Sequence, residues 1–172
     1  MVANNYCTMA KMSKAHFDEM VHKYPKLVQI FKDKIYHYND TVKLFLEKSL
    51  FSIDYLKKTN IETKHEIMYK LKKVNYEKDG SLIGVNEIAT KMFIIQNGVV
   101  EIEQHVEGDV FVIEKLTRGC ILNYRSFLLA DDNDCNAKCA TTVTVYTLEF
   151  DDFDLIRQQN EDLDAEVKKS EQ

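Results

Sequence analysis

Glycine placement constrains this chain more than any other feature. All five glycines, Gly80, Gly84, Gly98, Gly108 and Gly119, fall between residues 80 and 119 of a 172-residue sequence, with none on either side. Glycine supplies the positive φ of tight turns and weakens helix interiors. The distribution therefore reads as a turn-rich β-region between two helical segments. At this length the chain accommodates one domain with a substantial core plus a helical extension, but not two comfortable domains.

In the first flank, Leu27, Ile30, Phe31, Ile35 and Tyr38 recur at helical spacing. Pro25 stands where it would end a helix starting near Ser13 and begin the next. Asn39-Asp40 ends that helix and caps another carrying Val42, Phe45 and Leu46. Thr63 with Glu66 reads as a capping box for a short helix through Leu71.

From Lys73 the pattern changes to short β-prone runs divided by Asp79-Gly80, Asn97-Gly98 and Gly108-Asp109. Asn97-Gly98, between residues 92–96 and 99–103, predicts a hairpin, because both residues tolerate the positive φ of a type I′ turn. Beyond it, Val100 and Ile102 alternate with Glu101 and Glu103, which implies one buried and one wet face. Residues 110–113 and 143–148 add further strands, and many short antiparallel strands imply a barrel or jelly roll. After Phe150 helical spacing returns in a stripe of Phe153, Ile156, Leu163 and Val167, interrupted by Asn160, with Asp151 or Asp152 suited to the N-cap and first turn. The expected fold is α+β: an antiparallel β-roll or jelly roll, preceded by several short helices and followed by a C-terminal helix. A division into residues 1–60, a helical extension, and residues 61–172, the roll with its last helix, follows.

Several function classes recede on composition. A net charge of −5 disfavours nucleic acid, whose binding needs clustered Lys and Arg. The longest apolar runs, such as residues 92–95, fall far below the roughly 20 residues of a spanning helix. Residues 1–10 lack the features of a secretory signal, so Cys7, Cys120, Cys135 and Cys139 are expected to be thiols in a cytoplasmic protein. Cys135 and Cys139 lack a partner His or Cys at metal-site spacing. The five histidines are scattered, and His16 with His22 does not make the i, i+4 pair of a helical zinc site. With no phosphate loop before a helix, no nucleophile elbow and no calcium-loop order in residues 131–134, neither an enzyme nor a metal site is expected.

Particular residues carry a resemblance. They are the turn at Asp79-Gly80, the run from Lys91 through Gly98 to Glu101, the pair Leu116 and Gly119, and the helix start Asp151-Asp152-Phe153. Together they resemble the cyclic-nucleotide-binding domain family, a β-roll flanked by helices, over about residues 60–158 of this sequence. The helices over residues 24–46 and the stretch 65–69 look like the linker that joins such a domain to a channel pore. Residues 111–116, followed by 123–127, are similar to cation channels of ciliate-like protists.

In family members that bind cAMP or cGMP, the resemblance implies a Gly-Glu pair at the start of a short helix and an arginine further along. The glycine lets the backbone approach the phosphate, the glutamate takes the ribose hydroxyl and the arginine pairs the phosphate. Those positions here are Asn123, Tyr124 and approximately Asn133. Where the arginine would stand, the carboxylates of Asp131, Asp132 and Asp134 repel a phosphate. Losing both charged contacts, each about 1.5–3 kcal/mol, weakens binding by roughly 10²- to 10⁴-fold. A rearranged site would draw on Arg118, Arg125 or Lys138 for charge and on Tyr124 for stacking.

The candidate ligand pocket is therefore Asn123, Tyr124, Arg125, Ser126, Asn133 and Lys138, in degenerate form, with no cofactor expected and cAMP or cGMP disfavoured. The resemblance implies a cytosolic regulatory domain of a cation channel, acting in gating or subunit assembly. Its partners would be other subunits or the pore domain, and the apolar stripe within residues 13–48 offers a surface for a homo-oligomer. Two alternatives stay open: a true nucleotide sensor of a kinase-type regulatory subunit, and a free-standing scaffold.

Overall fold

A computed structural model describes residues 11–36 and 41–170, with side chains over 11–30 and 41–170. The chain divides into two compact units, residues 1–39 and 40–172. In the first, α1 (Lys14–Lys23) starts at Ser13, whose side chain accepts the His16 N–H at 3.3 Å. Pro25 opens α2 (Pro25–Tyr36), a position where its missing N–H costs nothing. Leu27 is half-buried and Ile30 is 52% exposed. The Phe31, Ile35 and Tyr38 side chains and the Asn39-Asp40 cap lie outside what is described.

The second unit begins with α3 (Thr41–Leu50), α4 (Asp54–Lys57) and α5 (Ile61–Lys70). Helices α3 and α4, grouped on sequence with the extension, thus lie in the unit that contains the strands. Buried His65 on α5 shares a 2.7 Å hydrogen bond with Glu47 on α3, which joins the two helices. The expected capping box is not formed. Asn60 caps α5 instead, accepting the Thr63 N–H at 2.8 Å, because the helix starts at Ile61, ahead of Thr63. Thr63 and Glu66 are used elsewhere: the Thr63 hydroxyl donates to Asn160 Oδ1 at 2.9 Å, and Asn160 Nδ2 donates to Glu66 at 3.4 Å.

Eight strands follow in two antiparallel four-stranded sheets: β1 (Lys72–Tyr76), β2 (Ser81–Ile83), β3 (Lys91–Asn97), β4 (Val100–Val106), β5 (Asp109–Leu116), β6 (Ile121–Leu122), β7 (Asn136–Cys139) and β8 (Val143–Glu149). One sheet has the order β1-β8-β3-β6 and the other β2-β7-β4-β5. The fold is the expected β-roll with helices on both sides in sequence.

The hairpin expected at Asn97-Gly98 is not there. Strands β3 and β4 lie in different sheets, and only Gly98 has a positive φ, +93°. Its lack of a side chain serves close approach: a Cβ would meet the Thr142 carbonyl oxygen at 2.5 Å and Val143 Cα at 2.9 Å. The chain crosses between sheets against that backbone. A two-residue turn with both φ positive occurs instead at Glu107-Gly108, where Val106 pairs Asp109 to join β4 and β5.

Alternation along β3 explains why its apolar run lacks polar interruptions. Successive strand side chains point to opposite faces. Met92 and Ile94 enter a core with Leu50, Leu56, Ile67, Phe127 and Phe153 from the helices. Phe93 and Ile95 enter the interior between the sheets with Ile83, Val100, Leu122, Ala137 and Cys139. Strand β8 divides likewise, with Tyr146 and Leu148 on the helix side and Val143 and Val145 inside the roll. Burying each such side chain contributes about 1.5–3 kcal/mol before entropy is counted.

The closing helix is broken in two, α7 (Phe150–Gln159) and α8 (Glu161–Ser170), with extended Asn160 between them. Asn160 Nδ2 also donates to the Ile156 carbonyl at 2.8 Å, and Arg157 pairs Asp164 across the break at 2.8 Å. Phe153, Ile156, Leu163 and Val167 all enter the helix-side core, so the stripe survives the break. Among the described residues no helix is long and apolar enough to cross a membrane.

Candidate functional site

The segment after β6 is shaped by two left-handed residues. Asn123 takes φ +66°, a conformation asparagine tolerates, and thereby turns the two-residue β6 into the six-residue α6 (Tyr124–Leu129). Phe127 and Leu128 anchor that helix in the core. Ala130 ends it at φ +49°, which costs about 1–2 kcal/mol for a non-glycine residue.

The acidic segment that follows is held by backbone bonds to the β2–β3 connection. Asn86 N–H donates to the Asn133 carbonyl at 2.8 Å, Asn133 N–H to the Glu87 carbonyl at 2.9 Å and Ala89 N–H to the Asp131 carbonyl at 3.0 Å. The Asn133 side chain is buried, with Nδ2 donating to the Gly84 carbonyl at 3.2 Å. Gly84 leaves room for Glu87, whose carboxyl carbon would lie 2.5 Å from a Cβ there.

These contacts border a cleft of about 190 Å³ whose lining includes Tyr76, Leu82, Glu87, Lys91, Asn123 and Asn133. Asn123 Nδ2 donates to the Lys91 carbonyl at 3.0 Å. Asn133 Oδ1 is buried without a hydrogen-bond partner. An unpaired buried acceptor is costly, and an amide oxygen offers an anion nothing to bind.

The structure divides the six candidate pocket residues. Asn123 and Asn133 meet at this cleft. Tyr124 and Arg125 instead line a second cavity of about 320 Å³, against Asp54 and Tyr55 of α4. Ser126 lines neither; its carbonyl accepts the Asp131 N–H at 3.0 Å and fastens the end of α6. Lys138 on β7 faces Asp79 at 3.7 Å. Arg118 stacks over the Phe45 ring at 4.4 Å and donates to the Gln96 carbonyl at 3.0 Å.

Sequence reasoning missed Glu87 and Lys91 at the cleft, and Asp54 and Tyr55 at the second cavity. Gly84 was a usable signal for a crowded turn near Glu87. Nothing local marks Tyr55, which reaches the cavity only because residues of α4 and α6, far apart in sequence, both border it.

Among the described cysteines, Cys120, Cys135 and Cys139 are free thiols. Burial pushes the Cys135 and Cys139 thiols up, with the Asp134 charge adding at Cys135, so both are poor nucleophiles. Among the described residues no cluster of three metal-ligating side chains occurs.

Residues 73–160 match the family model described as cyclic nucleotide-binding domain. No curated protein sequence matches the chain. Solved structures share the fold. The regulatory domain of Toxoplasma gondii PKA, crystallised with cAMP, aligns at TM-score 0.62 and 16% identity, over 70% of this chain and 46% of that one. The N-terminal domain of a transcriptional regulator from Streptomyces coelicolor aligns at TM-score 0.63 and 10% identity, covering 71% and 86%. A cyclic nucleotide-binding-like protein from Brucella abortus aligns at TM-score 0.61 and 13% identity, covering 66% and 97%. The chain thus spans about half the length of the Toxoplasma structure it matches.

Proposed function

The chain belongs to the cyclic nucleotide-binding domain family, and from that premise we propose that it is a regulatory, non-catalytic module of a cation channel whose nucleotide site has degenerated. The supporting observation is the fate of the basic residues. A cyclic phosphate needs a cation beside the α6 segment; Lys91, the cation in the cleft lining, is paired with Glu149 at 3.4 Å, and the three that a rearranged site would draw on lie outside that lining. Arg118 lies on Phe45, Lys138 faces Asp79 and Arg125 lines the other cavity. The position expected to supply arginine holds Asn133, tied to the Gly84 carbonyl between aspartates.

Isothermal titration calorimetry with cAMP and cGMP tests this. No saturable heat below about millimolar ligand is expected, in line with the loss of two charge-assisted contacts. One-site micromolar affinity would overturn the degenerate site and favour the second reading, a nucleotide sensor of a kinase-type regulatory subunit. The likeness to the cAMP-bound Toxoplasma regulatory domain speaks for that reading.

The channel assignment rests on the resemblance of the linker-like helices and of residues 111–116 and 123–127 to protist channels. It places the module on the cytosolic face of a membrane, with neighbouring subunits or the pore domain as partners and the α1–α2 segment as an assembly element. Sequencing the full transcript tests it: pore-like apolar segments upstream are expected, and a transcript without them would leave a free-standing scaffold. Light scattering tests the assembly role, with a concentration-dependent oligomer expected and a strict monomer at high concentration overturning it for this chain.

A further inference from the structure

We propose that the α1–α2 unit is a contact surface for an anionic lipid bilayer, which it meets with lysines and with scattered apolar side chains. Charge sets this unit apart from the rest of the chain. Residues 1–39 carry six lysines against three carboxylates, a net +3 within a chain of net −5, which leaves −8 on residues 40–172. An anionic surface would attract the first unit and repel the second, and so set the orientation of approach.

The lysines stand where the helices themselves gain nothing from them. Lys14 and Lys26 lie in the first turns of α1 and α2, where the macrodipole favours a carboxylate, and neither turn holds one. Among the described residues Lys11, Lys14, Lys23 and Lys26 form no ion pair, with Asp18 and Glu19 or with any other carboxylate. Four cations are thus open to an anionic surface.

Apolar exposure accompanies them. No residue of α1 is buried, and Met12, Phe17, Tyr24 and Ile30 are 39–57% exposed. Phe17 and Tyr24 are seven residues apart, about two helical turns, which puts them on the same side of α1. The Lys23 ammonium lies 5.8 Å from the Tyr24 ring centroid. An aromatic ring beside a long cationic side chain suits the boundary between headgroups and acyl chains. A protein groove takes apolar anchors spaced along one continuous helix. Here the exposed apolar residues are spread over two helices that meet at Tyr24-Pro25, an arrangement that fits a broad flat surface. The surface draws on residues 11–30 alone, so it stands or falls separately from the nucleotide cleft and from the presence of a pore.

Co-sedimentation of the full chain with phosphatidylcholine–phosphatidylserine vesicles provides the test, with phosphatidylcholine vesicles as the neutral control. Binding to the charged vesicles is expected, with release as salt is raised. Combining Lys14→Gln with Lys26→Gln should weaken it by about 30-fold, about fivefold for each lysine near the surface, while keeping the melting temperature. Phe17→Ser should weaken binding by about tenfold. Val112→Thr, on the exposed strand β5, should bind as the parent does. The proposal fails if charged vesicles leave the chain in solution, as they would if the unit served only contacts between copies. It fails equally if neutral vesicles bind as well as charged ones, if the double lysine variant binds unchanged, or if Val112→Thr abolishes binding and so assigns it to the β5 surface.

Discussion

Strands β3 and β5 carry nearly the same kind of sequence and meet opposite fates. Met92, Phe93, Ile94 and Ile95 are 0–3% exposed, whereas Val110, Phe111, Val112 and Ile113 are 47–60% exposed. Each run is apolar without alternation. Strand β3 lies between β8 and β6, covered by helices on one face and by the second sheet on the other. Strand β5 is the edge of its sheet, with β4 its single neighbour. An uninterrupted apolar run therefore shows that a strand can be buried on both faces, and leaves open whether the fold puts anything there. A register shift opposite Glu103, which leaves Ile113 unmatched in β5, is a device that commonly discourages pairing at such an edge.

The widest separation should come from the centres of the two runs. Ile94→Ala is expected to cost about 2–5 kcal/mol, read from the midpoint of urea denaturation, because it opens a cavity in a fully buried layer. A loss below about 1 kcal/mol would mean that the two strands differ less than their burial implies.

Turn glycines extend the contrast. Gly98→Ala should cost about 2–4 kcal/mol, since φ is +93° and a Cβ would strike the Thr142–Val143 backbone. Gly108→Ala, at φ +95° beside β5 but with open space around it, should cost about 1–2 kcal/mol from backbone strain alone. Equal effects would show that crowding at the sheet crossing is relieved more cheaply than the geometry implies.

Edge strand β1 offers a finer test. Lys70 and Lys72 hold the Asp152 carboxyl below its ordinary value of 3.8. A lowered folded-state value stabilises above the unfolded pKa, and that contribution is lost as pH falls through the folded one. Asp152→Asn should therefore destabilise by about 0.2–1 kcal/mol at neutral pH and low salt. The difference should close in acid, below the ordinary carboxylate value. A gap that persists there would point to packing instead of charge.

Smallest of all should be Val112→Thr, within about 0.5 kcal/mol of the parent in the same denaturation experiment. A large loss would mean that β5 is covered in solution, and the exposed edge would cease to be a contrast to β3.

The candidate site was legible only in part. The resemblance picked out Asn123 and Asn133 as pocket positions, and the two do converge on one cleft, but the left-handed turn at Asn123 was not foreseen. No local pattern warns of a split between Asn123 and Tyr124, adjacent residues that border different cavities. Rotation about a helix start sends neighbours to different faces, and the direction depends on how Phe127 and Leu128 seat in the core. The capping residue of α5 was misjudged for a related reason. Thr63 and Glu66 have the right spacing, but Asn160, far along the chain, takes both side chains, and local pattern cannot register a distant competitor.

What the sequence determined by itself was the order of helices, strands and helices, the turn-rich centre marked by glycine, and the two-sided burial that the run at 92–95 permits. Those follow from backbone preference and side-chain period, which are local. Only the tertiary structure decided that Asn97-Gly98 crosses between sheets, that residues 110–113 lie at an edge, and that Tyr55 and Arg125 share a cavity. Each of these depends on which segment becomes a neighbour, and neighbours are selected by the packing of the whole chain.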